Sequence, residues 1–378
     1  MRARTILVAL VLVCAGCGGG RSALPEAAQV HGHWGPIAAA PLAPRIFAGR
    51  VWTGRELVVW GGRGCAPGHC EDESVAPFAD GAAYDPAGRT WRPLPPSPLS
   101  ARSGPTMVWT GQEVLVLGGS GPNQQFLADG AAYDPATGAW RPLAASPFVS
   151  RALRPTWTGT HLLVWGEEAG KPGVVAGAAY DPAADSWRPL APSPLSVRTL
   201  PASDWTGTAV PAWGGQAGTD YLADGAVYDA GAGTWHGMAP SPLTARATGG
   251  YWTGKELLVW GGEGPNQAFA DGAAYDPAAD AWHPMPTAPL SARRGFAAAW
   301  TGTGLVVWGG AAPTGPSFYG NGAVYVPATG RWTRIPPATP RFIPATVWTG
   351  SQLLVWGGLV LDPSGSPVPS NDGAALTP

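Results

Sequence analysis

An apolar run that closes on a pair of glycines, Leu57-Val58-Val59-Trp60-Gly61-Gly62, is the most regular signal in this chain. Before it stands another short run ending in Trp52-Thr53-Gly54. After it, beyond a variable stretch, come Asp80-Gly81-Ala82-Ala83-Tyr84-Asp85-Pro86 and then Trp91-Arg92-Pro93-Leu94. Each run is short and bounded by Gly, Pro, Asp or Thr, the pattern of strands separated by turns. Thr-Gly makes a tight connection between the first two runs, and Asp-Pro opens the turn between the last two. We name the four runs strands a to d.

The same order recurs seven times, each unit opened by an arginine: Arg45, Arg102, Arg151, Arg198, Arg246, Arg293 and Arg341. Their separations are 57, 49, 47, 48, 47 and 48 residues. A period near fifty with four short strands per unit predicts an all-β fold, a seven-bladed β-propeller of four-stranded blades. In the seventh unit, strands a and b are followed by Asp372-Gly373-Ala374-Ala375-Leu376 as strand c, and no strand d comes before Pro378. The missing strand is expected in Trp34-Gly35-Pro36-Ile37, so that the N-terminal strand closes the last blade.

These residues resemble the kelch repeat: a glycine pair after an apolar strand, then a tyrosine, six residues and a tryptophan. The pairs are Tyr84/Trp91, Tyr133/Trp140, Tyr180/Trp187, Tyr228/Trp235, Tyr275/Trp282 and Tyr325/Trp332. The resemblance spans nearly the whole chain after the leader, with Glu167 in place of a second glycine and Leu117 in place of a tryptophan as departures. It implies that arginines on one face can grip acidic segments of a partner.

Composition adjusts the picture in three ways. Glycine (55) and proline (42) make up about a quarter of the chain, but at fixed repeat positions, as turn punctuation rather than disorder. The net charge is −2, and −4 without Arg2 and Arg4 (21 basic against 25 acidic residues), which leaves no basic footprint for nucleic acid. All 20 tryptophans fall on repeat positions: seven in Trp-Thr-Gly, seven opening strand d and six before the glycine pair. They are read as core, not as a sugar-binding surface.

Residues 1–16 read as a signal peptide, with Arg2 and Arg4 before the apolar run Ile6–Val13. Small residues before Cys17 resemble a bacterial lipobox, although Cys14 stands where leucine is usual. Cys17 is the expected lipidation site, with an ordinary secretory cleavage as the alternative. Residues 17–30 would be a tether, Gly18–Val30 reaching at most about 45 Å at about 3.5 Å per residue, and residues 31–378 the propeller. Localisation is expected to be the bacterial cell envelope.

The short a–b and c–d turns share one face, so the d–a and variable b–c connections share the other, where function on a rigid scaffold usually sits. The longest b–c loops are Arg63–Ala79 and Leu359–Asn371. The candidate binding residues on this face are Asn123, Phe126, Tyr221, Asn266, Phe269, Phe318 and Tyr319, with Arg102, Arg151 and Arg246 from the anchor set. Loop packing is the competing reading for the aromatics, and bonding to carbonyls or to an aspartate of an adjoining blade for the arginines. Cys65 and Cys70 are expected to form a small disulfide; Cys65, His69, Cys70, Glu71 and Asp72 as metal ligands are the alternative. No metal or other cofactor is expected. Only His69 of the six histidines lies on the variable face, which argues against a copper site like that of galactose-oxidase-like propellers.

The leading expectation is a lipid-anchored, exported, monomeric binding or scaffolding module for a protein or glycan ligand, bound between blades one and seven. A carbohydrate-active enzyme (epimerase- or hydrolase-like) using Glu167, Glu168, Asp220 or Glu263 as acid–base groups and a structural envelope subunit are the alternatives.

Overall fold

The computed structural model describes residues 32–65, 75–148, 155–167, 175–315 and 317–378. Among them the strands form seven four-stranded antiparallel sheets and three two-stranded ribbons. Blade one is Gly49–Trp52, Leu57–Trp60, Gly81–Asp85 and Thr90–Pro93, in that spatial order. The innermost strand Gly49–Trp52 packs beside its counterparts Thr106–Trp109 of blade two and Ala345–Trp348 of blade seven, so strand a lines the axis and strand d the rim.

Why strand b is apolar throughout follows from its position. All four residues of Leu57–Trp60 are buried, because each blade is covered on both faces by its neighbours. Alternate side chains of a strand point to opposite faces, so Leu57 and Val59 pack with Leu354 and Trp356 of blade seven. Val58 and Trp60 pack with Val114 and Val116 of blade two. Small residues of strand c leave room for the large indole beside them. A Cβ on Gly81 would come within 2.7 Å of Trp60 Cδ1, so alanine there would displace the core.

The turns are stapled locally. The Thr53 hydroxyl accepts a hydrogen bond from the Glu56 amide (3.0 Å) and donates to the Glu56 carbonyl (3.2 Å). Gly54 supplies the left-handed backbone at φ 87°. Thr110, Thr158, Thr206, Thr253 and Thr301 donate likewise, and the Thr349 hydroxyl accepts from the Gln352 amide, which accounts for the recurring Trp-Thr-Gly.

The seventh blade closes as expected. His33–Ile37 pairs antiparallel with Gly373–Thr377, with Trp34 opposite Leu376 and Ile37 opposite Gly373. The tryptophans that open strand d then mark the circuit. Each donates its indole N–H to a carbonyl of the preceding blade: Trp91 to Ala38, Trp140 to Pro95, Trp187 to Ala144, Trp235 to Ala191, Trp282 to Ala239, Trp332 to Pro286 and Trp34 to Pro336. These bonds run 2.7–3.3 Å and pass through the composite blade without interruption.

Candidate functional site

The anchor arginines are the first residues to resolve. Arg102 and Arg246 are fully buried, and Arg102 pairs with Asp129 (2.9 Å) as Arg246 does with Asp271 (2.7 Å). Arg45–Asp80, Arg198–Asp224 and Arg341–Asp372 repeat the arrangement. The same guanidinium groups donate to the carbonyl of the first glycine of the pair, for example Arg45 to Gly61 and Arg102 to Gly118. The aspartate belongs to the same blade, not to an adjoining one, and ties the entry of strand a to the entry of strand c. Arg102 and Arg246, expected as ligand-binding cations, are therefore committed to internal bonds; Arg151 lies outside the described residues.

Four of the paired aspartates, Asp129, Asp224, Asp271 and Asp372, sit below the ordinary aspartate value of 3.8. The Arg102 bond does this for Asp129 and the Arg198 bond for Asp224. For Asp271 burial pulls upward, but the Arg246 bond and charge outweigh it. A lowered folded-state pKa contributes stability above the unfolded value and loses it as pH falls through the folded value. The melting temperature should therefore hold from neutrality down to about pH 4 and drop below it. Asp129→Asn should shallow that acid limb, and an unchanged limb would remove these pairs as its cause. Blade six provides an internal reference: Arg293 bonds Asn321 instead, and burial presses its guanidinium down to about 10.

Two of the aromatic candidates serve these arginines. The Phe269 ring lies 3.7 Å from the Arg246 guanidinium carbon and Tyr319 lies 4.4 Å from that of Arg293, as Phe78 lies 4.2 Å from that of Arg45. They are lids over buried cations, the loop-packing alternative made specific. Asn123 and Asn266 are exposed on b–c turns, Phe126 is half-buried, and Phe318 stacks on Phe342 at 5.6 Å. Tyr221, on the ribbon Gln216–Ala217/Asp220–Tyr221, is held upward by burial and the nearby Glu263 charge. The candidates are thus spread around the face, not gathered at one point.

What they surround is an axial cavity of about 490 Å³. Its described lining comes from the start of strand a in several blades and from the residues after the glycine pairs. The rim includes Phe47, Leu200 and Ile343, and the charged groups are Arg45, Arg50, Arg63, Arg294 and Glu263. Arg294 and Glu263 approach to 3.4 Å. Sequence reasoning missed this set. Phe47, Leu200 and Ile343 each stand two residues after an anchor arginine and hold φ of 53°, 53° and 48°. Gly104 and Gly295 occupy the same repeat position at 63° and 58°. Five of the six units described at this position hold a left-handed residue there, Thr248 of blade five being the exception, and the conformation costs a bulky side chain about 1–2 kcal/mol. Aligning the units on their arginines would have exposed the oddity.

Blades seven, six and one meet beside this cavity. Ile46, Ala311, Phe342 and Leu359 form one apolar cluster, with Cys65, Phe318 and Ile343 against it. Cys65 is disulfide-bonded; Cys70, its expected partner, and His69, Glu71 and Asp72 lie outside the described residues, as does Cys17. Of the acid–base alternatives, Glu263 lines the cavity, Asp220 is exposed on its ribbon, Glu167 ends the strand Leu162–Glu167, and Glu168 lies outside the described residues.

Fold and face together define a closed β-propeller with a loop-bearing surface around an axial pocket. The Kelch motif family matches residues 101–147, which is the second unit, and the remaining units repeat its strand order. The chain is a seven-bladed propeller of kelch repeats, a fold that commonly serves as a protein-interaction scaffold. A comparison with curated proteins found no match.

Proposed function

We propose that this protein is an exported, lipid-anchored scaffold that captures a protein ligand on its b–c loop face. The observation that carries the reading is the division of labour among residues. Repeat positions are consumed internally, by arginine–aspartate pairs and indole bonds, whereas the non-repeating residues gather on one face. Loop variation on a rigid frame is the usual basis of recognition. Three extensions raise this face: the ribbons at Glu263–Gly264/Gln267–Ala268 and Gln216–Ala217/Asp220–Tyr221, and the longer Leu359–Leu361/Pro367–Pro369 of blade seven. Cys17 would hold the scaffold at the membrane, with residues 18–30 as its tether. Asn123, Asn266, Phe126, Tyr221 and Phe318 are the proposed contacts.

Capture from detergent-extracted envelopes tests the proposal. Replacing Asp362–Ser366 at the tip of the blade-seven ribbon by Gly-Gly should abolish recovery of the partner while leaving the melting temperature within about 3 °C. A Cys17→Ser form should still capture it, but from the soluble fraction. Equal recovery by the ribbon variant would overturn the location, and recovery of a glycan rather than a protein would change the ligand class.

A further inference from the structure

We propose that the outward edge of the blade-seven ribbon is a strand-docking site, to which an extended segment of the protein ligand adds as a third strand. The inference deepens the scaffold reading and rests on it for the class of partner. It starts from the phase of the hydrogen bonds. In the ribbon Leu359–Leu361/Pro367–Pro369, Leu359 stands opposite Pro369, Val360 opposite Val368 and Leu361 opposite Pro367. The bonds at either end set the phase: Ser370 donates to the Gly358 carbonyl and Asp362 to the Ser366 carbonyl, both at 2.9 Å. Bonded and non-bonded pairs alternate along an antiparallel ladder. Val360 and Val368 therefore bond across the ribbon, while Leu359 and Leu361 aim their N–H and C=O groups away from it. Leu359 shows the direction, exchanging both bonds with Phe342 outside the ribbon (2.9 and 3.0 Å).

Leu361 repeats that orientation two residues on, and among the described residues no backbone group meets it there. The protein's own chain cannot continue the pairing. The residue that would face Leu361, two before Phe342, is Pro340, which has no N–H to donate. Across the ribbon, Pro367 and Pro369 hold the outward positions and withhold donors from that edge. The shorter ribbons of blades four and five reach their turns at the corresponding point, with Gly218 and Pro265. Only the blade-seven ribbon, among the three, presents a further donor and acceptor on one residue, the arrangement that an added strand satisfies. Native edges are usually blunted by charge or proline; here the open position carries leucine. Phe47, Leu200 and Leu361 are the large apolar side chains exposed among the described residues, and all three stand on the loop face. Leu359 and Leu361 share one face of their strand. Leu359 is buried with Ile46, Ala311 and Phe342, so Leu361, 39% exposed, carries that apolar face beyond the propeller body. A partner residue opposite Leu361 sets its side chain on the same face. The occupant is thus an extended segment that continues the pairing begun by Phe342, with an aliphatic or aromatic residue opposite Leu361.

Nitrogen-15 leucine spectra of the full propeller test this with a synthetic hexapeptide of alternating threonine and valine, blocked at both ends. The Leu361 resonance is identified by its loss in Leu361→Pro. Millimolar peptide should shift the Leu361 amide and slow its exchange at least about tenfold. The same peptide N-methylated at its valines should do neither, since it keeps the apolar surface and lacks the donors. Leu361→Pro removes the outward N–H alone, because the ladder within the ribbon does not use it. This variant should weaken the peptide about tenfold or more with the melting temperature within about 2 °C, whereas Leu361→Ile should bind it as the parent does. An unmoved Leu361 amide, equal binding of the N-methylated peptide, or indifference to Leu361→Pro would each overturn the proposal. So would a Leu361 amide already protected in a sedimenting dimer, which would give the edge to a second copy of the chain. In capture from envelopes, a partner still recovered by Leu361→Pro would leave the scaffold reading standing and sink the edge alone. Peptide pairing without any recovered partner would do the reverse.

Discussion

A chain that begins at Ala39 should fail to fold, whereas one that begins at Gly32 should melt like the full protein. The difference is the strand His33–Ile37 and the residue after it, and what rests on them is the ring. Trp34 lies 4.7 Å from Trp308, ring to ring, and Ile37 is 3% exposed. Removing the half-buried tryptophan costs up to about 3–5 kcal/mol and removing the buried isoleucine about 2–5 kcal/mol. Five antiparallel residue pairs with Gly373–Thr377 are lost as well, and Leu376, 1% exposed, becomes the face of an open edge. Trp91 also loses its acceptor, the Ala38 carbonyl. The total is comparable to the whole stability of a typical domain, about 5–15 kcal/mol. Loss of near-ultraviolet circular dichroism and a red shift of tryptophan emission should report the collapse. A separate peptide spanning residues 32–44 should restore both signals, since it returns the outer strand and the acceptor together. Melting of the Ala39 chain within a few degrees of the full protein would show that the ring does not depend on closure.

That strand was legible in the sequence because the repeat is so regular that an absent piece has a definite address. Trp34-Gly35-Pro36-Ile37 supplies the residues that the seventh unit lacks, and the indole of Trp34 completes the same circuit as Trp91 to Trp332. The tryptophans as a whole were legible for the same reason: position within the unit decides burial, and position is written in the period. The partner of the anchor arginines was not. Arg45 and Asp80 are 35 residues apart, Arg246 and Asp271 are 25 apart, and the b–c loop between them varies in length. Nothing local in the chain states that strands a and c of one blade start at the same end, on either side of strand b. The axial rim was hidden by a different cause. Phe47 and Leu200 look like ordinary core residues in one dimension. Their exposure follows from a backbone sign that the sequence announces only in the glycines of other units, Gly104 and Gly295. Phe269 and Tyr319 looked like surface aromatics because they lie in loops, yet a loop that caps a buried cation uses its aromatic inwardly.

Arg246→Met should be the most damaging single substitution in the repeat, at about 3–5 kcal/mol, although it replaces one long side chain by another. Arg246 is fully buried and donates to the Thr244 carbonyl (2.8 Å) and to both carboxylate oxygens of Asp271. Phe269 covers its plane. Methionine fills much of the volume but donates nothing, so the carbonyls and Asp271 lose a charged donor at once, and unsatisfied groups cost more than the bonds are worth. Asp271→Asn is a different perturbation. The Asp271 side chain is 58% exposed, so its charge is partly screened, and asparagine retains an acceptor for the guanidinium. Blade six already runs on that chemistry, with Arg293 bonded to Asn321 at 3.0 Å. Asp271→Asn should therefore cost only about 1 kcal/mol. Urea midpoints compared at constant slope measure both. If the two substitutions cost the same, charge compensation rather than hydrogen-bond geometry would be what joins strand a to strand c. If Arg246→Met costs less than about 1 kcal/mol, the blade would be held by its apolar faces alone and the repeated arginine would lack a structural reason.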